Sequence, residues 1–319
     1  MTNHSFAKLT VLAATTVALP ALSWAGTEIK DSKKTVTPVE QTQESCITGD
    51  LGVNVVSQYV SRGLIFENQG GITQPYADLY FRLYKGDGFL NKVQLNLGIW
   101  DSFHSRHTDQ GLASGTPGVS STPNWYENDF TAGISFTVLK NLTITPSYFT
   151  FLSPNDAFST FQGLNLKVAY DDTDYLKAFA LHPYFQILWE LDNKAGTGPS
   201  QGVYYEIGVA PGAAIPGLKD LSFTVPLTVG LGSHNFYGTV DNRGNVTQDN
   251  FGFFSAGFNL SYSMSWVPKC FGAWTANAGV TYYYLGNVLS NFNTEGTGGD
   301  IRFPNHNEWV FSGGIAVAF

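Results

Sequence analysis

Charged residues are scarce in this chain: Asp, Glu, Lys and Arg make up 13% of its 319 residues, against about 25% in typical soluble domains. Long apolar runs are scarce too. The one continuous run, Leu9 to Leu22, is shorter than the roughly 20 residues that a membrane-spanning helix needs. With a mean hydropathy of -0.06, the composition excludes a bundle of membrane helices. A soluble fold or a transmembrane β-barrel remains.

Basic residues and metal ligands are also few. The chain has 17 Lys and Arg against 25 Asp and Glu, a net charge of -8, which argues against a nucleic-acid partner. His104, His107 and Asp109 lie close together in a long loop, but such spacing is more typical of a solvated loop than of a metal site. Residues 241–245 (DNRGN) lack the full calcium-loop pattern. We therefore expect no metal and no cofactor.

The N-terminus has the features of an exported protein. The apolar run from Leu9 to Leu22 is followed by Ser23 and Ala25, the small-x-small pattern of a signal peptidase site. We predict a signal peptide over residues 1–25. Residues 26–50 are polar and without apolar period, so we expect a flexible periplasmic lead. The third region, residues 51–319, is expected to form a single domain.

That domain shows a repeated alternation of apolar residues with small or polar ones, in runs of about ten residues. In the clearest run one face is apolar throughout: Leu221, Phe223, Val225, Leu227, Val229 and Leu231. The other face of that run carries Ser222, Thr224, Pro226, Thr228, Gly230 and Gly232. An apolar outside and a wettable inside are typical of a membrane barrel, whereas a soluble sandwich buries its apolar faces.

About twelve such segments follow one another, an even number in the bacterial range. Their centres lie near Val55, Leu79, Leu97, Ile134, Ile144, Leu166, Phe185, Ile207, Val225, Phe258, Ala278 and Ile315. Short and long connections alternate, as periplasmic turns and external loops do. The sequence therefore predicts an all-β, closed antiparallel transmembrane β-barrel in the bacterial outer membrane, with both chain ends periplasmic.

The lumen-facing positions favour a narrow, passive pore for small hydrophilic solutes, because many are Gly, Ser, Thr or Asn. A few charges of both signs also fall on the inner face by strand parity: Arg62, Asp78, Arg82, Asp129, Lys167, Glu190 and Glu206. Two interpretations stay open for these pore-lining candidates. They pair with one another across the wall, or they contact solute in a wet lumen.

Two other functions remain open. Barrel-embedded lipid hydrolases need a Ser and a His within hydrogen-bond reach and a third group that orients the His. His182 is the one histidine inside a predicted strand, and no such signature accompanies it, so we expect no enzyme and no catalytic residue. A binding or structural role, such as that of a surface receptor, is the second alternative.

The chain has two cysteines, Cys46 and Cys270, and an exported compartment permits disulfides. Cys46 precedes the first strand, and Cys270 falls in a turn on the same side of the barrel. Closure places the last strand beside the first, so the two cysteines lie about two strand spacings apart, roughly 10 Å. We predict a Cys46–Cys270 bridge, with two free thiols as the alternative.

The last strand, Trp309 to Phe319, ends the chain on an aromatic residue. This ending resembles the C-terminal signal that the outer-membrane assembly machinery recognises, so that machinery is an expected partner through Phe319. Membrane lipid is expected to cover the apolar outer face. The same face would suit a second copy of the chain, which leaves the oligomeric state open.

The segment Ser57-Gln58-Tyr59-Val60-Ser61-Arg62-Gly63 resembles the opening strand of the TorF-type porins, in which a Ser-x-Tyr-x-x-Arg-Gly run recurs. The stretch ENQGGITQPYADLYF, the segment SPNDAF and the ending GGIAVAF are similar to uncharacterised outer-membrane barrels of comparable length. The resemblance implies a barrel in the outer membrane and transport as its role. Arg62 is the functional candidate that falls on the shared run.

Overall fold

The chain folds into a closed barrel, as a computed structural model shows for residues 45–105, 125–240, 246–293 and 305–319. Its strands are β1 (Ile47–Val56), β2 (Tyr59–Ser61), β3 (Leu64–Glu67), β4 (Ile72–Lys85), β5 (Leu90–His104), β6 (Trp125–Val138), β7 (Leu142–Leu152), β8 (Phe161–Tyr170), β9 (Tyr184–Asp192), β10 (Val203–Val209), β11 (Gly212–Ala214), β12 (Leu221–Thr224), β13 (Leu227–Gly232), β14 (Gly238–Val240), β15 (Val246–Gln248), β16 (Phe251–Ser263), β17 (Ala273–Leu285) and β18 (Asn307–Ala318). Two short α-helices, α1 (Thr173–Leu176) and α2 (Asn287–Phe292), and two 3-10 turns, Lys177–Phe179 and Lys269–Phe271, lie between strands.

Twelve antiparallel strands form the wall, and the predicted number is confirmed. Two of the twelve are interrupted: β10 continues as β11, and β12 continues as β13 beyond Pro226, which has no N–H to donate to the ladder. The barrel closes where β1 pairs with β18, from Asp50 opposite Ala318 to Val56 opposite Ser312. Because β1 also pairs with β4 over its whole length, no wall edge remains among these strands.

The alternation read from the sequence determines which side chains point outward. Large apolar side chains are exposed on the outer surface, and seven of the twelve predicted segment centres are among them. Examples are Leu51, Val55, Leu79, Ile99, Ile134, Leu164, Phe185, Ile207, Phe258 and Ile315. Polar residues at the intervening positions are buried inside: Asn96, Ser135, Thr145, Asn165, Thr228, Ser255 and Asn259. The barrel is therefore apolar outside and largely polar inside.

The two ends of the barrel differ. The chain enters at Ile47 and leaves at Phe319 on one end, here called the turn side, where Gly49 and Phe319 exchange two backbone hydrogen bonds of 3.0 Å. The connections on the other end, the loop side, are longer. The predicted boundary at residue 51 is too late by four residues, because Ile47 to Asp50 already pair with β4. In the described segments neither helix is long and apolar enough to cross a membrane.

One connection on the loop side turns into the barrel. Residues 57–71, here called the inner hairpin, join β1 to β4 and contain β2 and β3, which pair with each other and not with the wall. The sequence predicts this segment as a continuation of the first strand, and that prediction is wrong. Strand β1 ends at Val56, which pairs directly with Ile72 of β4, so the inner hairpin is an insertion between two adjacent wall residues.

Candidate functional site

The tip of the inner hairpin is a two-residue turn. Ser61 pairs with Leu64, and Arg62 and Gly63 between them have φ values of 50° and 79°. Positive φ at both central residues is the requirement of a type I′ turn, which Gly meets without steric cost. The Arg-Gly pair of the porin-like run therefore encodes a sharp turn that presents the Arg62 side chain at its tip.

The inner hairpin fills the loop-side half of the lumen with an apolar core. Tyr59, Val60, Leu64 and Ile65 of the hairpin are each 5% exposed or less. They belong to one buried cluster with inward-facing wall and loop residues that include Trp100, Tyr126, Phe149, Phe161, Leu188, Tyr204, Phe236, Phe253 and Leu289. Burial of this apolar surface is the main force that holds the hairpin inside. The expectation of a small, polar inner face is thus wrong for this half of the barrel.

Polar contacts fix the hairpin at three points. Asn293, which follows α2, donates to the Gly63 carbonyl (3.0 Å) and accepts from the Ile65 N–H (3.1 Å). The Tyr237 hydroxyl donates to the Arg62 carbonyl at 2.8 Å. The Tyr59 hydroxyl donates to Glu127 of β6 at 2.7 Å. The hairpin backbone is thereby hydrogen-bonded to other loops, and its side chain to the wall, so its position is well defined.

The base of the hairpin meets a serine–histidine pair. Ser102 Oγ lies 2.9 Å from His104 Nε2, and His104 Nδ1 lies 3.9 Å from Glu67 Oε2. The order resembles a hydrolytic triad, but 3.9 Å is longer than a hydrogen bond, and Ser102 is 0% exposed. Glu67 instead accepts the N–H groups of Asn68 and Gln69. These residues join the hairpin to β5, and His104 is part of the wall and not of an outer loop.

Arg62 at the hairpin tip faces carboxylates of the wall. Its guanidinium interacts electrostatically with Glu127 and Asp129 of β6 and with Glu190 of β9. Its Cζ lies 5.1 Å from the centre of the Phe151 ring, a cation–π distance. The sequence assigned Arg62 to the wall; the structure places it on the hairpin, where it meets the predicted residues Asp129 and Glu190.

The three carboxylates differ in how they are held. Glu190 accepts three backbone N–H groups, from Ala195 (2.5 Å), Gly196 (2.9 Å) and Gly202 (2.6 Å). Asp129 is 3% exposed and is hydrogen-bonded to the Glu127 carboxyl on the same strand. A hydrogen bond between two carboxyl groups requires that one of them carries the proton. Glu127, which strand parity also places inside, was missed at the sequence level because the predicted strand was centred further along β6.

A cavity with a mixed polar and apolar lining lies beside the hairpin tip. It is lined by Val60, Ser61, Arg62, Gln186, Tyr204, Glu206, Pro226, Thr228, Phe253, Ser255, Thr281 and Tyr283. Glu206 accepts hydrogen bonds from the hydroxyls of Tyr204 and, at 2.7 Å, Tyr184. Lys167 Nζ lies 4.5 Å above the Tyr184 ring. Tyr184 therefore contacts two of the predicted residues, Lys167 through its ring and Glu206 through its hydroxyl.

The remaining predicted charges lie away from this centre. Asp78 of β4 is buried opposite Gly98 of β5 and Asp50 of β1. Arg82 lies four residues further along β4. Its guanidinium is 3.8 Å from Cys46 Sγ, and its backbone N–H donates to the Cys46 carbonyl at 2.8 Å. The seven candidates thus divide between the hairpin tip, the Tyr184 contact and the turn-side part of β4.

The two cysteines are both free and exposed, so the predicted bridge is not formed. Cys46 directly precedes β1, and its carbonyl accepts the backbone N–H of Arg82 of β4. Strand β4 flanks β1 on the side opposite to β18 and β17, and Cys270 precedes β17. The bond to β4 fixes the backbone of Cys46 beside the wall, so Cys46 is not part of a mobile lead.

We therefore expect both thiols to react with iodoacetamide in the refolded protein without reductant, since both are exposed. Mass spectrometry should show two carbamidomethyl groups per chain. Prior treatment with a reductant should leave that number unchanged. A chain that is not modified at first and takes up two groups only after reduction would instead show that the two cysteines form the disulfide.

His182 lies outside the strands, in the turn before β9, with a φ of 51°. Its Nδ1 lies 3.4 Å from Asp171 and 3.7 Å from Asp172, and one oxygen of each could ligate a metal together with it. Asp172 already accepts the N–H groups of Leu181 and His182. These contacts stabilise the turn. His107, Asp109 and residues 241–245 lie outside the described residues.

No protein-family model and no curated protein matches the chain. Solved structures do: the COG4313 outer membrane channel from Pseudomonas putida F1 is 10% identical, with 94% of this chain and 97% of that chain covered and a TM-score of 0.44. The NanC porin is 12% identical (84% and 98%, TM-score 0.42), and the KdgM porin in complex with disordered oligogalacturonate is 9% identical (85% and 99%, TM-score 0.38). Similarity at this level transfers no function, and the TorF-type resemblance stays a prediction.

Proposed function

We propose that this protein is an outer-membrane channel for the passive diffusion of small hydrophilic solutes, narrowed by its inner hairpin. The apolar outer surface supports the location. Side chains such as Ile207 (51% exposed) and Val55 (54% exposed) face outward from every part of the wall, an arrangement that is stable in lipid and unfavourable in water. The assembly machinery, through Phe319, is proposed as a partner on the sequence resemblance alone.

The observation that carries the proposal is the charged constriction inside a closed barrel. Arg62 projects from an inward-folded loop, and its charge acts on carboxylates of two wall strands. It also lines a cavity formed by polar and apolar residues. A barrel that served only as an anchor or receptor would be stable with an apolar filling at this position. Charges that project into a lumen are instead a usual means by which channels select solutes.

The direct test is electrical recording from the refolded protein in a planar lipid bilayer. We expect discrete current steps that are small for a twelve-stranded wall, because the inner hairpin occupies the loop-side half of the lumen. Liposome swelling in small polyols should give the same order of activity. Bilayers that stay closed at all voltages, with the barrel folded, would refute the channel and favour the receptor or structural role.

A lipid hydrolase is the weaker alternative, because Ser102 is fully buried in the barrel. The Ser102–His104 hydrogen bond is explained by its place between the hairpin base and β5. Release of fatty acid from phospholipid by the purified protein, and its loss in Ser102→Ala, would be needed to revive this function.

A further inference from the structure

We propose that Glu127, Asp129, Glu190 and the Phe151 ring form a binding site for a guanidinium or alkylammonium group, which the chain's own Arg62 occupies in this structure. The site would make small organic cations the preferred solutes. This inference rests on the proposed channel function and adds a substrate class to it.

The first argument is the nature of the present occupant. The planar guanidinium of Arg62 stands 5.1 Å from the Phe151 ring centre, and Phe151 lies directly opposite Asp129 in the β6–β7 ladder. Carboxylates combined with an aromatic face are the usual recognition elements for organic cations. Groups that bind a tethered guanidinium can bind the same group on a free solute, once the tether moves away.

The second argument is the organisation of the carboxylates apart from Arg62. Glu190 is held by three backbone N–H groups, and Glu127 by the Tyr59 hydroxyl, so their positions do not depend on the cation. Asp129 is buried and shares a proton with Glu127 through a side-chain hydrogen bond. The pair and Glu190 therefore keep negative charge at the site, which a bound cation can compensate if Arg62 is withdrawn.

The third argument concerns the cavity beside the site. Its lining combines apolar and polar residues; it includes Arg62 together with Glu206, Gln186, Thr228 and Ser255. Glu206, fixed by two tyrosine hydroxyls, adds a further negative charge next to the site. A cation that enters this cavity meets the Glu206 carboxylate next to the hairpin tip.

The experiment is chemical rescue of Arg62→Ala by methylguanidinium chloride at up to about 20 mM, far below denaturing concentrations. The variant, refolded in detergent, should show a saturable rise in thermal midpoint of about 2–4 °C. Sodium chloride at equal concentration should give no such rise, and wild-type protein should respond little because Arg62 fills the site. In bilayers methylguanidinium should reduce the current through Arg62→Ala.

Two further variants make the result decisive. Arg62→Ala combined with Asp129→Asn should lose the midpoint rise, and Lys85→Ala, which removes an exposed cation at the end of β4, should behave as wild type. If Arg62→Ala does not refold, Arg62→Gln keeps the side-chain length and should bind in the same way. An absent rise in both Arg62 variants, or an equal rise when Asp129 is replaced, overturns the site. Because the midpoint needs no conduction, a closed bilayer with a positive midpoint shift would refute the channel alone.

Discussion

Replacing residues 58–70 with a four-residue Gly-Ser turn should raise the single-channel conductance at least about threefold, because the loop-side half of the lumen loses its filling. The wall should remain closed. Val56 already pairs with Ile72, so a short turn can join β1 to β4 without altering their register. The measurement is the current step of the refolded variant compared with wild type under the same salt and voltage.

The same replacement should lower stability. Inward-facing apolar residues such as Phe149, Phe161 and Leu188, each 2% exposed or less, would contact water once the hairpin is gone. At about 25 cal/mol per Å² of apolar surface, that exposure costs several kcal/mol. Circular dichroism should show unchanged strand content, which separates an opened barrel from an unfolded one. A folded variant with wild-type conductance would mean that solutes do not pass along the barrel axis.

The wall of this protein is readable from its sequence. Successive side chains of a strand point to opposite faces. A strand with one face in lipid therefore has an apolar residue at every second position of the sequence, as in Leu221, Phe223 and Val225. The strand count and the sequence of long and short connections follow from the same pattern. The break at Pro226 is visible as well, because proline cannot donate to the ladder.

The inner hairpin was not recognised because its residues also alternate. Tyr59 and Ser61 continue the parity of β1, so the segment reads as more wall. Its apolar residues are nevertheless buried inside, where hydrophobic burial within the barrel replaces contact with lipid. One signal was present: Arg62-Gly63 provides the two positions with positive φ that a tight hairpin requires. The residues of the turn, and not the periodicity, distinguish an inner hairpin from a continued wall strand.

The sequence names single candidate residues but not their arrangement. Parity predicts inward side chains for Asp129, Glu190 and Glu206, and all three are buried. It could not bring Arg62 to them, since that contact depends on a loop that reverses into the lumen. The predicted disulfide depends on a contact of the same kind: the backbone of Cys46 is held by a hydrogen bond from Arg82 of β4, which local sequence does not specify.

The second large effect is expected from Gly63→Val, which should destabilise the packed position of the inner hairpin in the lumen without removing the hairpin. Gly63 has a φ of 79°, where a β-branched residue is strained by about 1–3 kcal/mol. An added Cβ would also lie 2.5 Å from Leu289 Cδ1 and 3.2 Å from Phe253 Cδ1, and overpacking of this kind typically costs a further 1–3 kcal/mol or so. The current step should rise toward that of the variant without the hairpin.

Gly217→Val provides the matched control. Gly217 has nearly the same φ, 81°, but no atom within 4 Å of an added Cβ, and it lies in the turn between β11 and β12, away from the lumen. It should lose stability through backbone strain and keep the wild-type current. An opened channel in Gly63→Val alone would therefore identify the seating of the hairpin, and not general destabilisation, as the cause. Equal currents in both variants would mean that the hairpin tolerates the substitution or that its position does not limit conduction.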